Sequence, residues 1–238
     1  MRLLVLQHVD CEHPGVFTEV MDERGVEAAT VELDRGEPLP DWRGFDAVLA
    51  MGGPMGACDD EELPWLEGER RLIGEAVDAG RGFLGVCLGV QLLAAALGAP
   101  IEKLERPEVG LLPVELTDRG RSHPLFAGVS EPLATLQWHG DTFELPQGAT
   151  LLASSPAAPH QAFAVGERAF GVQFHLEVTG EMARQWAAIP AYRETAASTL
   201  GGERAEAFLE EIQSRAGDLH PAARRLFGNW LEIVGERR

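Results

Sequence analysis

The sequence predicts an α/β fold of three layers, with a central, mostly parallel sheet, helices on both faces, a small antiparallel ribbon and C-terminal helices. Two observations lead there. In the first half of the chain, apolar runs of strand length alternate with amphipathic helical stretches. In the second half, short strand-like runs follow one another without helices between them, as an antiparallel ribbon requires.

Residues 3–6 form the opening buried strand, and residues 15–24 carry Val16, Val20 and Met21 at helical spacing. A second strand is expected at 26–33 and, after a link containing Pro38 and Pro40, a third at 45–51. Residues 65–79 read as a helix closing at Gly80, with Leu66, Ile73 and Val77 on one face. An apolar strand from residue 82 then runs into a helix that stops near Gly98. Residues 101–104 and 109–116 are predicted as two strands, and 117–124 as a surface loop holding an exposed His123. Strands follow at 134–138, ending in a glycine turn at Trp138-His139-Gly140-Asp141, and at 150–154, 161–165 and 169–174, the last continuing extended to Glu177. Thr179 caps a helix through Gln185, which Pro190 ends, and amphipathic helices cover 203–215 and 221–234. This divides the chain into a domain at 1–190 and a helical extension at 191–238 packed on it by Phe208, Leu209, Ile212, Leu226, Trp230 and Ile233.

The stretch with the most chemical content is Gly85-Val86-Cys87-Leu88-Gly89-Val90-Gln91. A sharp turn from strand to helix pushes its tip residue outward, and glycines two residues to either side let strand and helix pass closely. A lone cysteine is more often a small buried hydrophobe. At the start of a helix, however, free amides and the dipole favour a thiolate, so Cys87 reads as a nucleophile. Gln91, one turn on, faces the same way. Met51-Gly52-Gly53-Pro54-Met55-Gly56 follows the third strand and presents bare backbone amides suited to an anion or oxyanion. In Phe174-His175-Leu176-Glu177 an extended chain puts His175 and Glu177 on one side, where the carboxylate fixes the imidazole tautomer and frees the other nitrogen to take a proton. His8 and His13 lack the companions of a metal site and read as core or surface histidines.

The formal charge of −18 and pI near 4.7 exclude a phosphate-binding surface for nucleic acid or anionic membrane. Cys11, Cys58 and Cys87 are an odd number without metal-type spacing, which argues against disulfide scaffolding and structural zinc. The N-terminal apolar run is too short for a secretory signal, and no run approaches the ~18 residues of a membrane span, so a cytoplasmic protein is expected.

Taken together, these residues resemble the class I, or triad, glutamine amidotransferases. The Cys87 stretch matches that family's G-x-C-x-G-x-Q motif, 174–177 its histidine-x-glutamate ending and 51–54 its glycine loop, while Trp138-His139-Gly140-Asp141 is similar to a segment of the amidotransferase half of GMP synthases. The resemblance covers residues 1 to about 185 and implies a flavodoxin-like fold and a γ-glutamyl thioester mechanism. It implies Cys87, His175 and Glu177 as the triad, and the amides of Gly53 and Leu88 as the oxyanion hole. Gly52, Gln91, His139, Gly140 and Asp141 would bind the substrate, with no cofactor or metal. Leu176 departs from the proline common at that position, a change that removes no reacting group. No synthetase domain with a P-loop follows, so an ammonia acceptor would sit on another chain. The alternatives are a stand-alone γ-glutamyl peptidase and a non-catalytic binding or regulatory module on the same scaffold. Related cysteine hydrolases with a base directly after the cysteine fit less well, because Leu88 stands there.

Overall fold

Side chains along the apolar runs alternate between two hydrophobic cores, one on each face of the sheet. Leu3, Val5, Leu49, Leu84 and Val86 enter one core, and Leu4, Leu6, Val48, Ala50 and Phe83 the other. The computed structural model describes residues 1–236, so positions 237 and 238 of the expected C-terminal extension lie outside the described residues.

The strands are β1 (Arg2–Gln7), β2 (Glu27–Glu32), β3 (Ala47–Ala50), β4 (Gly82–Val86), β5 (Ile101–Leu116), β6 (Leu133–Phe143), β7 (Thr150–Ser154), β8 (Ala162–Val165) and β9 (Ala169–Val172). The helices are α1 (Val16–Glu23), α2 (Trp65–Asp78), α3 (Leu88–Ala96), α4 (Asp118–Ser122), α5 (Gly180–Ala188), α6 (Pro190–Leu200), α7 (Gly202–Arg215) and α8 (His220–Gly235). One sheet runs β2-β1-β3-β4-β9-β8-β7-β5-β6. Its first five strands are parallel and the remaining pairings antiparallel. The 2-1-3-4 order, with β9 in fifth place, makes the fold flavodoxin-like. Helices α2 and α3 cover one face, while α1, α5, α7 and α8 bury apolar residues in the core on the other. No helix among the described residues is long and apolar enough to cross a membrane.

Several expectations are corrected. The two strands expected at 101–104 and 109–116 are one strand, β5, whose register against β6 slips between Lys103 and Glu108. Gly140 is therefore no turn: β6 runs straight through it, and the irregularity lies on the partner strand opposite. The stretch 117–124 folds into α4, capped by Thr117, and leads into a 3-10 turn at Pro124–Phe126. His123 is half-buried: its Nδ1 accepts from the Leu125 amide at 3.1 Å and its ring meets the edge of Phe170. The expected long last strand stops at Val172. Pro190 does close α5, but it also opens α6, because a proline at the first helical position gives up no hydrogen bond.

Candidate active site

Because β1, β3, β4 and β9 are adjacent and parallel, their carboxyl ends lie along one edge of the sheet, where ligands bind in such folds. His8 and Glu12 follow β1, Gly52 and Gly53 follow β3, Cys87 follows β4, and Gln173, His175 and Glu177 follow β9. Residues far apart in sequence thus meet because sheet order brings their strand ends together.

Cys87 joins β4 to α3 at φ 51 and ψ −103, and it is the only non-glycine residue with positive φ among the described residues. Such a conformation costs of the order of 1–3 kcal/mol and persists only where the surroundings impose it. The imposition is visible on both sides. A Cβ on Gly85 would lie 2.3 Å from the Gly89 carbonyl oxygen, and one on Gly89 would lie 2.2 Å from that of Ala50. The Cys87 amide donates to Val172 at 2.9 Å, tying the elbow to β9.

His175 is paired by backbone hydrogen bonds of 2.9 and 3.0 Å with Leu136 of β6, and its Nδ1 lies 2.7 Å from Glu177 Oε1. The second Glu177 oxygen accepts from the Leu176 amide at 2.9 Å, fixing the carboxylate. The imidazole also meets the Cys87 sulfur, and Trp186 of α5 packs edge-on against it with ring centroids 4.8 Å apart. Burial alone would push His175 toward its neutral form, but Glu177 and Cys87 override it and hold the ring well above the ordinary imidazole range. The pairing of 175 with 177 expected from an extended strand is therefore present, although a turn past the strand end, rather than a strand, produces it.

Three buried residues extend this group. Gln173 donates from Nε2 to Cys87 Sγ at 3.5 Å, while its Oε1 accepts from Gln91 at 3.1 Å. Gln91 also donates to the Asp141 carbonyl at 3.3 Å, as does His139 Nδ1 at 2.8 Å. His139 Nε2 sits 3.1 Å from Glu108 Oε2, so the His139 ring is fully engaged within the protein. Glu12 is buried beside Gly52, where a Cβ would lie 1.8 Å from Glu12 Oε2 and 3.0 Å from His175 Cε1. Burial first, and then the neighbouring Glu177, push its carboxyl up to about 7.

A cleft of about 460 Å³ opens at this edge, and Gly53, Cys87, Gln91, His139, Gly140 and Asp141 all line it. Gly52 and Leu88 lie behind it, both buried. Tyr192 of α6 forms part of its wall, and Lys103, the only lysine in the sequence, stands exposed on another part. Sequence reasoning missed Gln173, Glu12 and α6. The first had a signal, since a glutamine two residues before His175 on an extended chain faces the same way.

Fold and site define a flavodoxin-like α/β protein with an elbow cysteine set against a buried histidine-glutamate pair. The chain belongs to the class-I glutamine amidotransferase family, whose model matches residues 10–186, and it is an enzyme of that type. It is 36% identical over 185 residues to the glutamine amidotransferase-like protein YfeJ of Salmonella typhimurium, covering 76% of this chain and 77% of that one. It is 31% identical over 166 residues to the glutamine-hydrolyzing GMP synthase of Lactococcus lactis, covering 69% of this chain but only 28% of the synthase. The crystal structure of a glutamine amidotransferase from Thermotoga maritima superposes with a TM-score of 0.83 at 30% identity, covering 99% of both chains.

Proposed function

We propose that this protein cleaves the side-chain amide of glutamine through a γ-glutamyl thioester on Cys87 and delivers the ammonia to an acceptor on a separate chain. The observation that carries this reading is the strained Cys87, held at a helix N-terminus against the buried His175-Glu177 pair. His175 takes the thiol proton, and the sulfur attacks the amide carbon, moving an electron pair onto the carbonyl oxygen. The amides of Gly53 and Leu88 hold that oxyanion, and each such donor is worth about 3–4 kcal/mol in comparable enzymes. Collapse breaks the C–N bond as His175 returns its proton to the leaving nitrogen, and ammonia departs. Water then gives a proton to His175 and attacks the thioester, releasing glutamate and restoring the thiol. Glu177 orients the ring and supports its charge throughout. Gln91 and the main chain at His139, Gly140 and Asp141 receive the amino-acid end of the substrate, with Gly52 shaping the wall behind the sulfur.

The chemistry requires a reduced Cys87, and the three cysteines are free, which supports a cytoplasmic location. The GMP synthase of Lactococcus extends well beyond the matched region, which supports a synthetase acting in trans here.

A cleft of about 460 Å³ has room for more than glutamine, which favours a second reading in which a γ-glutamyl peptide or conjugate is the substrate. Glutamate release from glutamine and from a panel of γ-glutamyl compounds separates the two. Cys87→Ala should abolish turnover of every compound, and His175→Asn should lower kcat by about 10²- to 10⁴-fold. An active Cys87→Ala protein would overturn the reading.

A further inference from the structure

The Gly52-Gly53 peptide poses a physical problem. Both glycines are required, because a Cβ on Gly52 collides with Glu12 and one on Gly53 would lie 2.5 Å from Met55 Sδ and 2.9 Å from Leu88 Cδ2. A peptide flanked by two glycines is also the least restrained link a chain can have. Left alone it would rotate, carrying the Gly53 amide away from the cleft.

His8 stands where that rotation would be stopped. Its ring is completely buried, with Nδ1 2.9 Å from the Gly52 carbonyl oxygen and Nε2 2.9 Å from Glu69 Oε1 on α2. The ring stacks on Trp65 with centroids 5.8 Å apart. A carbonyl oxygen only accepts, so Nδ1 carries the proton and donates it to Gly52. Burial opposes a charge on this ring, but Glu69 outweighs it and His8 lies above the ordinary imidazole range. In a trans peptide the carbonyl of one residue and the N–H of the next point in opposite directions, so fixing the Gly52 oxygen fixes the Gly53 N–H. A hydrogen bond to the carbonyl also polarises the amide and makes its N–H the stronger donor.

We propose that the buried His8-Glu69 pair is a positioning clamp on the Gly52-Gly53 peptide, holding the Gly53 N–H toward the Cys87 end of the cleft. His8 is a positioning residue, acting on the reaction through Gly53, and its kinetic effect rests on the oxyanion role proposed above.

The test combines crystal structures of the wild type, His8→Phe, His8→Asn and Glu69→Gln with steady-state kinetics on glutamine. Phenylalanine keeps the stacking on Trp65 but donates nothing. The Gly52-Gly53 peptide should then rotate or occupy two orientations, with kcat lower by about 10- to 100-fold and KM within about twofold, because the lost contact acts on the transition state. Asparagine places its amide nitrogen near the position of Nδ1 and should restore both the orientation and most of kcat. Glu69→Gln leaves the ring in place and should lower kcat severalfold at unchanged KM. It decides the matter if His8→Phe does not fold. An unchanged peptide in His8→Phe, an unchanged kcat in Glu69→Gln, or losses confined to KM would overturn the clamp. Failure of the wild type to hydrolyse glutamine would instead overturn the functional reading, while the peptide orientation in His8→Phe would still decide the clamp.

Discussion

Glu12 brings a third carboxyl group to a pocket already holding Glu177 and His175, and its burial has a measurable consequence. In the unfolded chain it releases its proton near the ordinary 4.5, whereas in the folded protein it keeps the proton to about 7. The folded state therefore binds more protons between those values. Stability contributed through Glu12 falls as pH rises from 4.5 to 7 and is flat above that. At about 1.4 kcal/mol per pH unit the whole effect is at most roughly 3 kcal/mol. Urea denaturation between pH 5 and 8 should show this downward slope in the wild type and a flatter one in Glu12→Gln; equal slopes would place the proton elsewhere. Gly52→Ala tests the same corner sterically. Its methyl group overlaps Glu12 and His175, so kcat should fall by at least about tenfold while the far-UV spectrum is preserved.

At the scale of elements, the β4-α3 elbow depends on two close backbone approaches. Gly89→Ala drives a methyl group into the Ala50 carbonyl of β3, which cannot give way without moving the sheet. A loss of at least about 1–3 kcal/mol is expected from such overpacking, read as a lowered thermal midpoint. This element was legible in the sequence because its signal is local: an apolar strand, a cysteine and two glycines at fixed offsets. His175 and Glu177 were legible as a pair for the same reason. The continuity of β5 was not, because Pro107 and the charged run from Glu105 to Glu108 read as a break, whereas pairing with β6 on either side carries the strand across it. Helix α6 was hidden by Pro190, which stops one helix and opens the next. The His8-Glu69 contact spans 61 residues, and no local pattern marks it. Only the order of strands and helices brings the two side chains together.

Across the whole molecule, the helices after residue 190 share a core with the sheet. Trp138 of β6 packs against Trp186, Tyr192 and Phe208, so α5, α6 and α7 meet over the strand that anchors His175. At the other end of this layer, Phe227 of α8 stacks on Phe17 of α1 at 4.4 Å, and both rings are buried. Phe227→Ala should cost about 3–5 kcal/mol in chemical denaturation, a penalty that a loosely attached tail would not incur.

The solitary lysine at the cleft has a practical corollary. Apart from the amino terminus, Lys103 carries the only primary amine in a chain whose other basic side chains are arginine and histidine. A succinimidyl fluorophore would thus report selectively from the rim, and its emission would follow occupancy in real time without any engineered handle.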